Sequence, residues 1–461
     1  MTKGVIAILI LWAYACMRAL LNPWVGFIGY TVFVVLCPRW NWRWGWNDSV
    51  DYQKFLAGGT IAGVLLTGAL FKPLNKTAKA SVAFFTIFLA LVWVSSFNTI
   101  DLYYTNRFWD LIWKIWLMAS LGVWLIDDQK KLGWFIWALI LSQGWNAFNI
   151  NQLYFERGGI NVNNFTWNYL DNNTYSISSV PVMAVVFGVL MVVKDWRLRL
   201  LTGLIFVLQM HQLMILQSRG TMVGGLCLVA LGVFFMPKTR ISIQMTVIAT
   251  VLGVMLAGPS VVNEFMSSFE GAESIDSSAD SRYKLWKAGA AIMRDNPLLG
   301  VGPWAGQFVV PRYYEGNLDA MGQKALHNLF FEIGTGSGIP AVIAYLLYFC
   351  IPWFGHLKLW RQGIPRPGSW EQAVNVGYLC GAPGYWAASM FSSGALIEPP
   401  YLMVTLGCVG LQLAIDSRGQ EDDSEGQDEE DFEDQEFSEY IGVDDELENH
   451  GYESERHSVI K

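Results

Sequence analysis

The sequence predicts an all-α polytopic membrane protein with about twelve transmembrane helices, one long outward loop and a disordered acidic tail. Three observations predict it. Hydrophobic residues make up 53% of the 461 residues, with 22 Trp and 27 Phe. Apolar runs recur along most of the chain, many near the ~20 residues that carry a helix across about 30 Å of hydrocarbon. The charge is divided as well. From Ser417 to Lys461, 18 Asp and Glu stand against 3 Lys and Arg, a balance of −15, while the remaining chain is +7. The runs are continuously apolar rather than alternating, which excludes an outer-membrane barrel. No nucleic-acid partner is expected of such a chain.

The candidate spans, in order, are 4–20, 24–37, 55–71, 79–97, 108–126, 132–149, 175–193, 199–217, 221–236, 242–260, 328–354, 372–394 and 398–415. Basic connections fall in alternate loops: KPLNKTAK (72–79), DDQKK (127–131), KDWRLR (194–199), PKTR (237–240) and HLKLWRQGIPRPG (356–368). The positive-inside rule puts these on the cytoplasmic side. The less basic segments face outward: FNTIDLYYTN, 150–174 and the long loop 261–327. The N-terminal part breaks the alternation, because PRWNWRWGWNDSVDYQK would lie outside despite its Arg residues. One of the first two runs is therefore expected to be a half-span or an interfacial helix, leaving about twelve spans with both chain ends cytoplasmic.

The first apolar run follows Lys3 without a convincing cleavage site and is expected to be retained. The body extends over 1–415. The tail, 416–461, has too few apolar residues to offset the entropy of ordering and is expected to be disordered. Its like charge is read first as solubilising. The six cysteines lie in or beside apolar runs with no CxxC spacing, so neither a disulfide framework nor a zinc site is indicated. No repeat at 20–50 residues is visible.

The long outward loop carries the chemistry. SADSRYKLWKAGAAIMRDNPLLGVGPWAGQF opens with a helix for which Ser281 is the candidate N-cap and Tyr283, Trp286, Ala290 and Met293 recur at helical spacing. Its Lys284, Lys287 and Arg294 suit a helix lying at the membrane surface. Asn296–Pro297 ends it, and Gly300, Gly302 and Pro303 form a turn that lets backbone approach a ligand. The loop returns to the membrane at KALHNLFFEIG (324–334), where His327 and Asn328 stand before an apolar run.

These residues carry a resemblance. Arg282 followed by Trp and Ala, then NPLLGVGPW, a Tyr-containing stretch, and HN before a Gly-rich apolar run resembles the signature region of the O-antigen ligase family. That superfamily includes O-antigen polymerases and bacterial protein O-oligosaccharyltransferases. QSRGTMVGG (217–225) resembles its SRG segment. YLDNNTYSISSVPVMA (169–184) is similar to the DNN segment of ligases associated with exosortase systems. Family members often carry Glu where this chain has Gly336, so a role resting on that Glu does not transfer. Glu332 lies one helical turn earlier.

The resemblance implies a GT-C-type glycosyltransferase of the bacterial inner membrane, with its active site facing the periplasm. It implies transfer of a glycan from undecaprenyl diphosphate to an acceptor hydroxyl, inverting and metal-independent, with no cofactor. The acceptor is a lipid, a glycan or a protein, and membrane lipids are the surroundings. In this reading Arg219 and Arg282 hold the diphosphate, since Arg makes bidentate, permanently charged contacts with phosphate. His327 is the catalytic base, being the one His of five expected to face outward. Asn328, Asp171, Asn172, Asn173 and Arg312 are candidate substrate contacts.

Plainer readings stand beside these. Outward Arg residues snorkel to headgroups. A His at a helix start is often a cap, and Asp171 to Asn173 are often loop residues. His211, about two turns before Arg219, is read as structural. The alternatives at the level of function are an exopolysaccharide polymerase or a protein O-oligosaccharyltransferase. Less favoured are a flippase, which needs ionisable residues at span centres, and an assembly scaffold, which needs no Arg/His set.

Overall fold

The structure, a computed structural model, describes residues 3–69, 73–158, 160, 171–256, 277–315 and 323–418. The described residues form helices and no strand. The chain runs through α1 (Lys3–Ala19), α2 (Pro23–Leu36), the one-turn α3 (Pro38–Asn41), α4 (Tyr52–Thr67), α5 (Lys76–Ser96) and α6 (Leu102–Leu125). It continues through α7 (Gln129–Arg157), α8 (Asn172–Val192), α9 (Trp196–Ile215), α10 (Arg219–Phe235) and α11 (Arg240–Leu256). After these come α12 (Ser277–Asp295), the short α13 (Val310–Tyr313), α14 (Leu329–Ser337), α15 (Ile339–Gln362), α16 (Trp370–Ser389) and α17 (Pro399–Arg418).

Among the described residues, six helices are long and apolar enough to cross a membrane: α5, α6, α8, α9, α15 and α17. Shorter apolar helices are α2, α10 and the part of α11 up to residue 252. Many helices start where the sequence offers a short polar side chain. Asp51, Asn75, Asp101, Asp128, Asp171, Asp195, Asn328 and Ser369 each accept a backbone N–H from the first turn that follows. Such caps satisfy donors that the first turn leaves unpaired.

The connections gather at two ends. At one, the basic loops meet: Gln129 donates to Glu371, Trp360 Nε1 donates to Phe235 O at 3.2 Å, and Asn75 N donates to Gln412 Oε1 at 2.6 Å. At the other, the motif-bearing segments meet, described below. Gly4 packs on Trp42 in the segment after α2. Gln412 lies at the basic end. The 14-residue α2 packs beside α1, and neither is among the six helices long and apolar enough to cross a membrane.

The centre of the bundle is α8, whose apolar window is wholly buried. It packs on α16 backbone to backbone. A Cβ on Gly188 would meet Ala373 O at 2.1 Å, and one on Gly377 would meet Ala184 O at 2.9 Å. On its next face α16 meets α10, where a Cβ on Gly224 would meet Gly384 O at 2.6 Å. Small residues let helix axes close in where lipid offers no hydrophobic drive.

Two expectations about the loop change. The apolar window 328–354 is not one helix, because α14 stops at Gly338, whose φ of +87° suits glycine alone, and α15 restarts with Pro340 in its first turn. The helix expected at Ser281 begins at Ser277, so Ser281 lies inside α12 rather than capping it. Its buried stripe is Leu285, Ala288, Gly289 and Ile292, while Tyr283 and Ala290 are exposed. That stripe packs on Phe331 and Leu326, and so binds α12 to the segment around His327. The disordered-tail expectation over 419–461 and the loop parts 257–276 and 316–322 lie outside the described residues.

Candidate active site

The turn NPLLGVGP is pinned on two sides. Val301 N donates to Thr335 O and Gly302 N to Gly336 O, each at 2.9 Å, which fixes it to α14. Asn98 Nδ2 donates to Gly300 O at 2.9 Å, Ile100 N to Val301 O at 3.1 Å and Thr105 Oγ1 to Pro303 O at 2.9 Å, which fixes it to the α5–α6 connection. Gly302 is at φ +105°, and a Cβ there would lie 2.1 Å from Thr99 Oγ1. Only glycine serves both needs.

Gly336 also has a steric reason. A Cβ there would sit 3.1 Å from Gly302 O and from Trp304 N, backbone atoms of the same turn. The departure from the family's Glu thus accompanies a tight seat for the turn on α14. Glu332, one turn earlier, borders a small cleft with Trp304, Gln307 and Thr335.

Three motifs converge on Met390 and Phe391, which follow α16. Asn328 Nδ2 donates to Met390 O at 3.0 Å. A Cβ on Gly220 of the SRG segment would lie 2.4 Å from Phe391 Cβ. The Trp286 ring, one turn beyond Arg282 on α12, has its centroid 5.9 Å from that of Phe391. The indole nitrogens of Trp286 and Trp386 beside this segment are buried donors with no acceptor among the described residues. Buried donors are normally satisfied, so these two suit a ligand rich in oxygen.

His327 lies in the turn before α14, partly buried, with φ +48°. Burial first, then the Arg282 guanidinium, and last Lys324, hold its imidazole below the ordinary 6.5, while the Asp171 carboxylate pulls the other way. Arg282, Asp171 and Lys324 are therefore its electrostatic neighbours. At neutral pH the ring is uncharged and able to accept a proton.

The other expected residues divide. Arg219 is the first residue of α10, partly buried, next to the Gly220 contact with Phe391. Asp171 caps α8, accepting from Thr174 N at 2.6 Å, and Asn172 Nδ2 donates to Leu216 O at 3.5 Å just before the SRG segment. Asn173 is partly buried in the same turn. Asn328 is 3% exposed, with Oδ1 accepting from Phe330 N and Phe331 N, so its side chain builds the α14 cap and the tie to Met390. Arg312 is exposed in α13 and acts on Tyr313, whose hydroxyl donates to Asp295 at 2.9 Å, rather than on His327. His211 is paired with Asn151 and stacked on Phe155 at 5.6 Å, an arrangement that serves helix packing.

Sequence reasoning missed Met390 and Phe391, which look like the plain end of an apolar run. It also missed Glu398, although a lone acid opening an apolar run is a recognisable signal.

An all-helical multi-pass membrane protein with a cation-flanked histidine at one end of its bundle is the class these features define. Residues 204–346 match the family model described as O-antigen ligase, and the match supports an O-antigen ligase superfamily membrane protein. The matched segment contains Arg219, Arg282, His327 and the pinned turn. It supports a ligase- or polymerase-type function in general, with lipid-linked glycan and acceptor as the general substrates. A search of curated proteins finds no match.

Proposed function

We propose that the protein moves a glycan from undecaprenyl diphosphate to an acceptor hydroxyl at the periplasmic face of the inner membrane, with His327 as base. The observation that carries this is His327 beside Arg282 and Asp171 where three motif segments meet on Met390 and Phe391. The acceptor O–H gives its proton to the neutral imidazole as its oxygen attacks the anomeric carbon. The bond from that carbon to the phosphate oxygen breaks, and undecaprenyl diphosphate leaves with the electron pair. One displacement inverts the anomeric centre. Charge grows on the leaving diphosphate, and in this reading Arg219 and Arg282 would meet it with bidentate, permanently charged donors. That leaves no task for a divalent ion. Asp171 holds the His327 pocket electrostatically, Asn172 and Asn173 flank the acceptor side, and Arg312 would contact glycan outside the centre. In this reading the bundle is a GT-C-type body of about twelve spans, with its basic loops and acidic tail in the cytoplasm.

The ligase reading leads over polymerase and protein O-oligosaccharyltransferase, which share the chemistry and differ in acceptor. The test is transfer by the purified protein from a lipid-diphosphate-linked glycan. His327→Asn suits it, since Asn tolerates the left-handed backbone and lacks the base. The expected loss is about 10²–10⁴-fold. Undiminished transfer by this variant would overturn the assignment. Full activity is expected in chelator, and strict metal dependence would overturn the role given to the two Arg residues.

A further inference from the structure

The segment between α16 and α17 meets α14 at two successive turns. Asn328, at the start of α14, donates to Met390 O at 3.0 Å. One turn later Glu332, whose N–H donates to Asn328 O at 2.9 Å, faces Ser393. Phe391 lies between these two points, and Phe391 is what Gly220 and Trp286 meet. The first tie is made by an amide and is indifferent to pH. The second involves a carboxyl, on a helix that is not one of the six spans.

The surroundings of that carboxyl are poor in charge partners. Among the described residues no Lys or Arg makes an ion pair with it. Tyr385 of α16 and Tyr401 of α17, both fully buried, are the titratable groups within range of its charge. On its other side are Trp304, Gln307 and Thr335, around a cleft of about 20 Å³ that has room for about one water. The Ser393 hydroxyl is near enough to draw the carboxyl's pKa down, yet it closes no hydrogen bond and has no other partner among the described residues. Burial outweighs it and pushes the carboxyl up to about 7. Once ionised, a group enclosed in this way without a counter-charge draws in water, and the elements around it must part.

We infer that Glu332 is a positioning residue: as the neutral acid it keeps Ser393, and with it Phe391, against α14, and loss of its proton to water releases that hold. The inference rests on the transferase reading for what is being positioned, and on the contacts of α14 alone for the hold itself. Glu398, at the far end of the same segment, is the nearest rival. Burial pushes its carboxyl up to about 7 as well, but it lies in range of Tyr30 and Cys37 and borders a separate cavity of about 370 Å³.

The experiment has two readouts on the purified full chain. The first is maleimide labelling of Ser392→Cys, in a background without the six native cysteines, below and above neutral pH. Ser392 is 3% exposed. Thiols react faster as pH rises, so the rate is compared with the same cysteine in Glu332→Gln, which stays uncharged. Above neutral pH the chain with Glu332 is expected to label at least about tenfold faster, and below it the two should label alike. Glu398→Gln is expected to leave that difference in place. Thermal unfolding identifies a cysteine variant that does not fold, and Ala395→Cys then takes its place. The second readout is glycan transfer against pH. The parent's kcat/KM is expected to fall as pH rises through the Glu332 pKa, and Glu332→Gln to lose that alkaline limb while keeping transfer below neutral pH. Equal labelling with and without Glu332 at every pH would overturn the inference, as would a difference that vanishes in Glu398→Gln. So would a folded Glu332→Gln that transfers nothing below neutral pH, since the group would then be needed for its proton rather than for position. Labelling as expected with no transfer by the parent would sink the transferase reading and leave the hold on Ser393 standing.

Discussion

His327 holds a backbone conformation that costs a non-glycine residue roughly 1–2 kcal/mol. The surrounding structure compensates, because Asn328 caps α14 on one side and Leu326 is buried on the other. Strain of this kind clusters where side-chain direction matters. The ring's acidity gives a prediction of definite sign. A base must be unprotonated, so transfer falls as pH drops through the His327 pKa. Asp171 raises that pKa, and Asp171→Asn keeps a good helix cap while removing the charge. The acid limb of kcat/KM should therefore move to lower pH in this variant. Lys324→Gln removes a cation and should move it to higher pH. An unmoved acid limb in both would mean that another group sets it.

At the scale of elements, the proposed site rests on two close approaches. Gly220 lets α10 sit on Phe391, which sets the position of the neighbouring Arg219. Gly220→Ala places a carbon where Phe391 Cβ already lies, so α10 must shift. The expectation is folded protein with transfer reduced at least tenfold, read from the assay beside an unfolding curve. Gly336 seats the turn on α14. Gly336→Glu restores the residue common in the family, yet here it meets the backbone of Gly302 and Trp304. It is expected to destabilise by about 1–3 kcal/mol and to lower activity, seen as a fall in unfolding temperature. A gain in activity would show that the turn moves aside readily.

For the whole molecule, the prediction concerns sidedness. Asn98 and Gly300 meet at the motif end, and Gln129 and Glu371 at the basic end. Single cysteines at Asn98 and at Lys130, in a background without the six native ones, should be labelled from opposite sides of the membrane. Labelling of both from one side would contradict the bundle's course. The centre of the bundle sets its stability. Gly188→Leu forces α8 off α16 at an approach that leaves no room for a side chain, and no folded protein is expected on extraction.

Local chemistry made a good part of this legible in the sequence. Apolar runs of spanning length gave the helical membrane class. Basic residues in alternate loops gave the two ends, whereas the Asp and Asn caps before those runs were seen only in the structure, Ser281 having been the one cap named from the sequence. The SRG, NPLLGVGPW and HN segments gave the family, because each is short and contiguous. What the sequence left undecided is whatever depends on approach between distant segments. Met390 and Phe391 became a meeting point only when α10, α12 and the turn before α14 closed on them. The cavity bordered by Glu398 joins residues from Phe33 to Pro399, and no local pattern binds those together. Both faces of α12 carry apolar residues, and only contact with Phe331 and Leu326 selects the face of Leu285, Ala288 and Ile292. The sequence determined which segments are helical and which carry the family likeness, since propensity, hydropathy and short motifs act over a few residues. The tertiary structure decided which side chains share a site, since that follows from helix packing set by glycine contacts far apart in the chain.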